Sequence, residues 1–286
     1  MNSLDTLPFP RFAEQETSAP PEPTAPPAVV EESPDYIPTG KLQGKVAIIS
    51  GGTTGIGKAT AILFAKEEAD LCLAYLDDDL AAQETARRIR ELGRRVVLLS
   101  GDIGDPAFCQ RVIEHTLMAF GRIDILVNNA ACQKELAGIE DLVPEQVRRT
   151  FETNLFGVFN LSRAVLPHLH RGASIINTSS GQAYDPLPSL MDYACTKAAL
   201  LNFTVSLAKQ VAPRGIRVNA VAPGPIWTPM TLASLAPAHL SEFGTDTLLG
   251  RAGHPAEVAP SFVFLASERD SSYITGQVLR PNGGHH

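Results

Sequence analysis

The 286-residue sequence has only four cysteines, Cys72, Cys109, Cys132 and Cys195, and no two of them stand at CxxC spacing. They are scattered in or beside apolar stretches, where a free thiol behaves as a small hydrophobe, which excludes a disulfide scaffold and points to a reducing cytoplasm. Basic runs are missing as well. The 24 Lys+Arg against 31 Asp+Glu leave a formal net charge of -7, so no surface is expected to follow a phosphate backbone and nucleic acid is not an expected partner. No apolar run approaches the roughly 18 residues a membrane span needs, and the N-terminus lacks the basic-then-apolar plan of an export signal. Neither a membrane nor secretion is expected. The seven histidines offer no metal site: His168 and His170 are one residue apart, without a carboxylate or cysteine to complete a set.

What the chain does have is a sharp change of composition near Gly40. Residues 1–40 are rich in Pro, Glu, Ser and Thr and poor in large apolar residues, so this extension cannot repay its own ordering entropy. It is expected to be flexible, or ordered only by draping over a neighbouring subunit. From Lys45 on, short apolar runs alternate with helical patterns, the signature of βαβ units. The runs are KVAIIS, LCLAY, RVVLL, DILVN, SIINTS, IRVNAV and GQVLR. They predict an α/β fold, a doubly wound, seven-stranded parallel sheet in a single domain over residues 41–286. In DLAAQETARRIRELG, Leu80, Ala86, Ile89 and Leu92 are expected to share the buried face. The alternation breaks between residues 228 and 255, an insertion long enough to cover a site.

The first strand runs into SGGTTGIGKATAILFAKE, with Gly51, Gly55 and Gly57 in the turn. Glycine there permits a tight turn and a close approach of backbone to a pyrophosphate at the helix N-terminus. The spacing is G-x-x-x-G-x-G, and its position between first strand and first helix is what points to a dinucleotide. Further on, MDYACTK sets Tyr193 and Lys197 four residues apart, on one helix face. A phenol beside an ammonium can exchange a proton with a substrate oxygen, although the same spacing also suits two ordinary residues of an amphipathic helix. Thr178, Ser179 and Ser180 end an upstream β-run, near the sheet edge where open α/β folds bind ligands. Asn154 lies in a helical pattern among Leu155, Phe156 and Val158, which suggests a buried amide that must find partners.

Ser50, Gly51, Gly55, Ile56 and Gly57, then NNA from Asn128, TNLFGVF around Asn154, NTSS ending at Ser180, YACTK and APGPIWT follow one another in order. In this the chain resembles the short-chain dehydrogenase/reductase family in its single-domain, Rossmann form, over nearly all of Lys41 to Gly284. Within it, the stretches around Ser180, Tyr193 and GRAGHPAEVAP are most similar to bacterial oxidoreductases that resemble plant aldehyde reductases and glucose/ribitol dehydrogenase homologues. One departure is Ala131, where the family usually has glycine.

The resemblance implies an NAD(P)-dependent oxidoreductase acting on a small alcohol or carbonyl: an aldehyde, a ketone or a sugar alcohol. Tyr193 would be the acid/base, Lys197 would lower its pKa and bind the nicotinamide ribose, and Ser180 would polarise the carbonyl. Asn154 would hold a backbone-bound water linking Lys197 to solvent. The cofactor would be held by Gly51, Thr54, Gly55, Ile56 and Gly57, by Asp102 and Ile103 at the adenine, and by Asn128 and Ala130 beside the adenosine ribose. Pro223, Ile226 and Thr228 would serve the nicotinamide. Tyr75 stands where NAD-selecting members carry Asp and Leu76 where NADP-binding members often carry Arg. Asp77, Asp78 and Asp79 favour NAD, unless they only serve a helix N-terminus, and Lys58 would act the other way. Gln182, Tyr184 and Trp227 are candidates for substrate contact, Trp227 being equally suited to the core. A homotetramer or homodimer is also implied. The rival reading is a non-catalytic cofactor sensor on the same fold, expected to lack members of the constellation that this chain retains.

Overall fold

The computed structural model describes residues 26–285 except 241. The seven expected runs form seven strands: β1 Val46–Ser50, β2 Asp70–Tyr75, β3 Val96–Ser100, β4 Ile125–Asn128, β5 Ser174–Thr178, β6 Arg217–Val221 and β7 Val278–Leu279. They make one parallel sheet in the order β3-β2-β1-β4-β5-β6-β7. Strands buried on both faces need near-continuous apolar sequence. Accordingly Ala47 and Ile49 point into one core with Leu71, Leu73 and Val127, while Ile48 points into the other with Cys72, Leu126 and Ile175.

Helices cover both faces. On the first lie α1 Gly55–Lys66, α2 Asp79–Glu91 and, from the far end of the chain, α9 Pro255–Ala266. On the second lie α3 Pro106–Phe120, α5 Gly157–Val165 and α6 Met191–Val211, with α4 Pro144–Phe151 leading into α5. Between β6 and α9 run two short helices, α7 Pro229–Ser234 and α8 Pro237–Leu240; α10 Glu268–Ser271 precedes β7. None of the described helices is long and apolar enough to cross a membrane.

Two expectations change. In α2 the buried residues are Ala82, Thr85, Ala86 and Ile89, whereas Leu80 is 86% exposed. At about 100° per residue Leu80 stands roughly 120° from Ala86 and roughly 180° from Ile89, so it lies on the opposite face. Residues 26–40 have no regular secondary structure, yet they drape over their own chain. Tyr36 donates to Glu67, and Ala256 N–H donates to the Val30 carbonyl at 3.1 Å. The expectations for residues 1–25 lie outside the described residues.

Candidate active site

The strand order reverses direction between β1 and β4, the position where an open α/β sheet leaves a crevice at its carboxyl edge. A cleft of about 730 Å³ opens there. At one end the glycine turn is built by necessity. Gly51 has φ +62, and a Cβ on Gly57 would stand 1.9 Å from the Gly51 carbonyl oxygen. Thr54 precedes α1 without making a side-chain cap, so first-turn N–H groups of α1 face the cleft at Ile56. Apolar walls, a close-approach turn and the positive end of a twelve-residue helix fit a dinucleotide pyrophosphate. Ser50 Oγ fastens the turn across to β4 by accepting from Asn129 N–H at 3.0 Å and Ala130 N–H at 3.2 Å.

The end expected to take the adenosine is acidic. Tyr75 and Leu76 line it with Asp77 and Asp78. Asp78 caps α2, accepting from Ala81 N–H at 3.0 Å, and Asp79 accepts from the Tyr75 hydroxyl at 2.6 Å. That bond, with burial, pushes the Tyr75 phenol up to about 12. Lys58 lies outside the cleft lining, paired with Glu31 at 2.7 Å and Glu84 at 3.1 Å. Asp102 and Ile103 both reach the cleft. Burial would raise the Asp102 carboxyl, but the Arg149 guanidinium and the Gly104 N–H outweigh it and hold it low.

At the other end α6 delivers Tyr193 and Lys197 together, both almost fully buried, with the ammonium 5.4 Å from the centre of the phenol ring. Lys197 Nζ donates to the Thr178 carbonyl at 2.8 Å. The three hydroxyls at the end of β5 separate by direction. Ser179 Oγ turns into α6 and donates to the Lys197 carbonyl at 2.8 Å, Thr178 Oγ1 donates to Asn129 at 3.3 Å, and Ser180 faces the phenol. Burial pushes the Tyr193 phenol up to about 12, against the lowering effect of Ser180. Burial also brings the Lys197 ammonium down to about 8. The expected lowering of Tyr193 by Lys197 is therefore not what this arrangement does by itself. Desolvation wins, and the phenol rests protonated.

Asn154 is fully buried in a π-helical turn, Glu152–Phe156. Its amide donates to the Cys132 carbonyl at 2.9 Å and Thr196 at 3.2 Å, and accepts from Cys132 N–H at 2.8 Å. The side chain is thus fully committed, and the π-turn dislocates the backbone ladder beside it, a feature common at functional sites. Of the neighbours expected to bury it, Val158 is 2% exposed but Phe156 is 52% exposed.

Pro223, Ile226, Thr228 and Gln182 line the cleft. Four expected contacts fall outside its wall, Gly57 among them, which shapes the turn from within. Asn128 points into the core, donating to Asn177 at 2.9 Å and Ser162 at 3.2 Å; its neighbour Asn129 takes the cleft position and donates to the Gly51 carbonyl. Tyr184 stacks under the Arg280 guanidinium at 4.3 Å, and Trp227 is core, edge-on to Phe243 at 4.9 Å. Phe243 supplies the wall instead, with Met230 and Leu235 from the covering segment and Glu135 from the loop after β4. Pattern could not find these, because their segments carry no period; Arg149 alone had a signal, as a cation beside a helical run. No metal-ligating cluster occurs among the described residues.

Residues 51–286 match the family model described as "Enoyl-(Acyl carrier protein) reductase". The chain is 47% identical over 267 residues to NADPH-dependent aldehyde reductase 1, chloroplastic, of Arabidopsis thaliana, covering 90% of this chain and 93% of that one. It is 42% identical over 264 residues to glucose and ribitol dehydrogenase of Daucus carota, covering 90% of each. Among solved structures it superposes on a Burkholderia cenocepacia short chain dehydrogenase in complex with NADP at TM-score 0.81, with 34% identity over 86% of this chain and 99% of that one. A Brucella melitensis 3-ketoacyl-(acyl-carrier-protein) reductase complexed with NADH gives TM-score 0.78, with 31% identity over 85% and 99%. With that much of the sequence and sheet held in common, the chain belongs to the short-chain dehydrogenase/reductase family of oxidoreductases.

Proposed function

We propose that this protein interconverts a small uncharged carbonyl compound and its alcohol, an aldehyde, ketone or sugar alcohol, with a nicotinamide dinucleotide. The observation that carries the reading is the buried Tyr193–Lys197 pair, faced by Ser180 at the carboxyl edge of the sheet. The nicotinamide supplies or accepts the hydride when bound. Ser180 donates to the substrate oxygen as charge builds on it, and Tyr193, resting protonated, delivers the proton. Lys197, anchored on the Thr178 carbonyl, sits close enough to stabilise the phenolate left behind. The π-turn at Asn154 offers the place for a water that returns a proton towards Lys197.

Substrate charge follows from the lining. Glu135, Asp185, Glu242 and Asp246 face the cleft, and among the described lining residues the only Lys or Arg cations are Lys197 and Arg149. Arg149 is spent on Asp102, while Glu135 and Asp246 are engaged by His239 and His285, which leaves Asp185 and Glu242, of those four, without a salt-bridge partner among the described residues. An anionic substrate would meet like charge, whereas carboxylates accept hydrogen bonds from hydroxyl groups. The names of the Arabidopsis and carrot relatives agree with aldehydes and sugar alcohols.

For the cofactor we propose a preference for NAD(H). Asp77 and Asp78 face the adenosine end, and Lys58 is engaged by two carboxylates. The relative named as NADPH-dependent sets the opposite expectation. Comparing kcat/KM with each dinucleotide decides between them: a preference above about tenfold for NADPH, some 1.4 kcal/mol, would end the proposal. A panel of aldehydes, ketones, sugar alcohols and their carboxylate analogues, read by nicotinamide absorbance, tests the reaction. Tight dinucleotide binding without turnover on any of them would make the protein a sensor.

We also place the enzyme in the cytoplasm, in keeping with four unpaired cysteines, and read it as a homo-oligomer. Phe156 and Phe159 are half exposed on the α4–α5 run, and sedimentation equilibrium would show a dimer or tetramer.

A further inference from the structure

The N-terminal extension reaches the dinucleotide end of the cleft through one residue. Glu31 Oε1 accepts from the N–H of Gly55, the first residue of α1, at 2.9 Å, and Glu31 Oε2 pairs with Lys58 Nζ at 2.7 Å. Its position is fixed on both sides. Val30 N–H donates to His254 and the Val30 carbonyl accepts from Ala256 N–H, joining the strap to α9. Glu32 bridges Lys66 of α1 and Arg88 of α2 at 2.8 and 2.6 Å. Arg88 foremost, then Lys66, brings the Glu32 carboxyl down to about 2 against the effect of burial, so the anchor stays charged at any ordinary pH.

What Glu31 holds is one helical turn from the cleft wall. Lys58 N–H donates to the carbonyl of Thr54, a cleft residue, at 3.1 Å. The second partner of Lys58, Glu84, precedes Thr85, whose hydroxyl donates to the Thr53 carbonyl at 3.2 Å. The seam between α1 and α2 is thus tied to Thr53 and Thr54, which line the same cleft as Tyr75 to Asp78. A lysine here, left to itself, would add positive potential where a ribose 2′-phosphate has to lie. With Glu31 and Glu84 both on it, the cluster around Lys58 instead carries one net negative charge.

We propose that Glu31 is a cofactor-selectivity residue supplied by the N-terminal extension: by filling the Gly55 N–H and neutralising Lys58, it disfavours a dinucleotide bearing a 2′-phosphate relative to one without it. This rests on the reading of the cleft as a dinucleotide site. The 2′-phosphate is the only chemical difference between the two ligands, so the charge at the seam acts on their ratio, whereas the shared pyrophosphate experiences it equally in both.

The test uses the full-length protein and binding alone. NADH and NADPH are titrated by nicotinamide fluorescence against the unaltered protein, Glu31→Gln, and Glu31→Gln with Lys58→Gln. Glutamine keeps an oxygen to accept from Gly55 N–H, so α1 stays capped while the charge is removed. Glu31→Gln is expected to raise Kd(NADH)/Kd(NADPH) about fivefold at low salt, the size of effect one partly screened charge exerts on a nearby phosphate. Adding Lys58→Gln should return the ratio to within about twofold of its original value. A ratio unmoved in Glu31→Gln, even alongside a lower Tm, would reduce Glu31 to a helix cap and overturn the proposal. So would a raised ratio that Lys58→Gln fails to reverse. If the unaltered protein binds neither dinucleotide, the reading of the cleft itself fails, a result distinct from either.

Discussion

The two walls of the substrate end are made in opposite ways. One is the β5–α6 wall, in which Ser179, Tyr193 and Lys197 are buried and Lys197 and Ser179 are tied to backbone carbonyls. The other is the segment between β6 and α9, made of the short α7 and α8 and a run of turns. Its root is buried, with Phe243 edge-on to Trp227, but the ties of α7 and α8 to the loop after β4 are polar and peripheral: Glu135 accepts from Ala236 N–H at 2.9 Å and pairs with the exposed His239 at 2.8 Å. The groups proposed to react are held by a core that cannot rearrange without loss of stability. The groups that meet the rest of the substrate hang on a surface segment that can change without disturbing the core. Chemistry and selectivity are therefore separable in this molecule, and the contrast can be broken from either side.

The largest effect should come from the core wall. Tyr193→Phe removes only the hydroxyl, so kcat is expected to fall about 10³-fold or more while dinucleotide Kd and Tm hardly move. Retained turnover would show that another group carries the proton. Ser180→Ala should cost about 10²-fold in kcat, the usual loss for one donor to a developing oxyanion; a change confined to KM would make Ser180 a binding group only.

Lys197 tests the same wall through stability. Its ammonium falls to about 8 from an ordinary 10.5, so between those values the unfolded chain holds a proton that the folded one has released. Stability should rise with pH across that window, by on the order of 3 kcal/mol in full. Tyr193, raised from 10.0 to about 12, acts oppositely above pH 10. Urea unfolding at pH 8 and 10 should show the rise in the native sequence and lose it in Lys197→Met; an equal rise in both would assign it elsewhere. The smallest expected effect lies on the cover. Phe243→Ala should change KM for the carbonyl substrate several-fold, leaving cofactor Kd and kcat within about twofold, and an equal loss in kcat would show that the cover also positions the reacting atoms.

How much of this was legible depended on whether a residue's role is local. The glycine turn, the seven strands and the Tyr193–Lys197 spacing depend on neighbours a few residues away, and period and turn chemistry report such neighbours. The choice among Thr178, Ser179 and Ser180 depends on which way each hydroxyl leaves the end of β5, which pattern alone left open. Asn128 and Asn129 are adjacent and chemically alike, yet only the second reaches the cleft, because alternation along β4 sends the first into the core. Trp227 had one wall to line and one core to fill, and the Phe243 ring decided for the core.

The sequence by itself determined the seven strands of a parallel sheet and the four-residue spacing of Tyr193 and Lys197 on one helix, since hydrophobic period and fixed spacing are properties of the chain. Only the tertiary structure decided what those groups experience. Burial makes Tyr193 a poorer acid and Lys197 a weaker base, the π-turn commits the Asn154 side chain, and Glu31 comes 24 positions along the chain to cap Gly55. Desolvation and long-range pairing depend on what surrounds an atom in space, and a linear chain does not state its own surroundings.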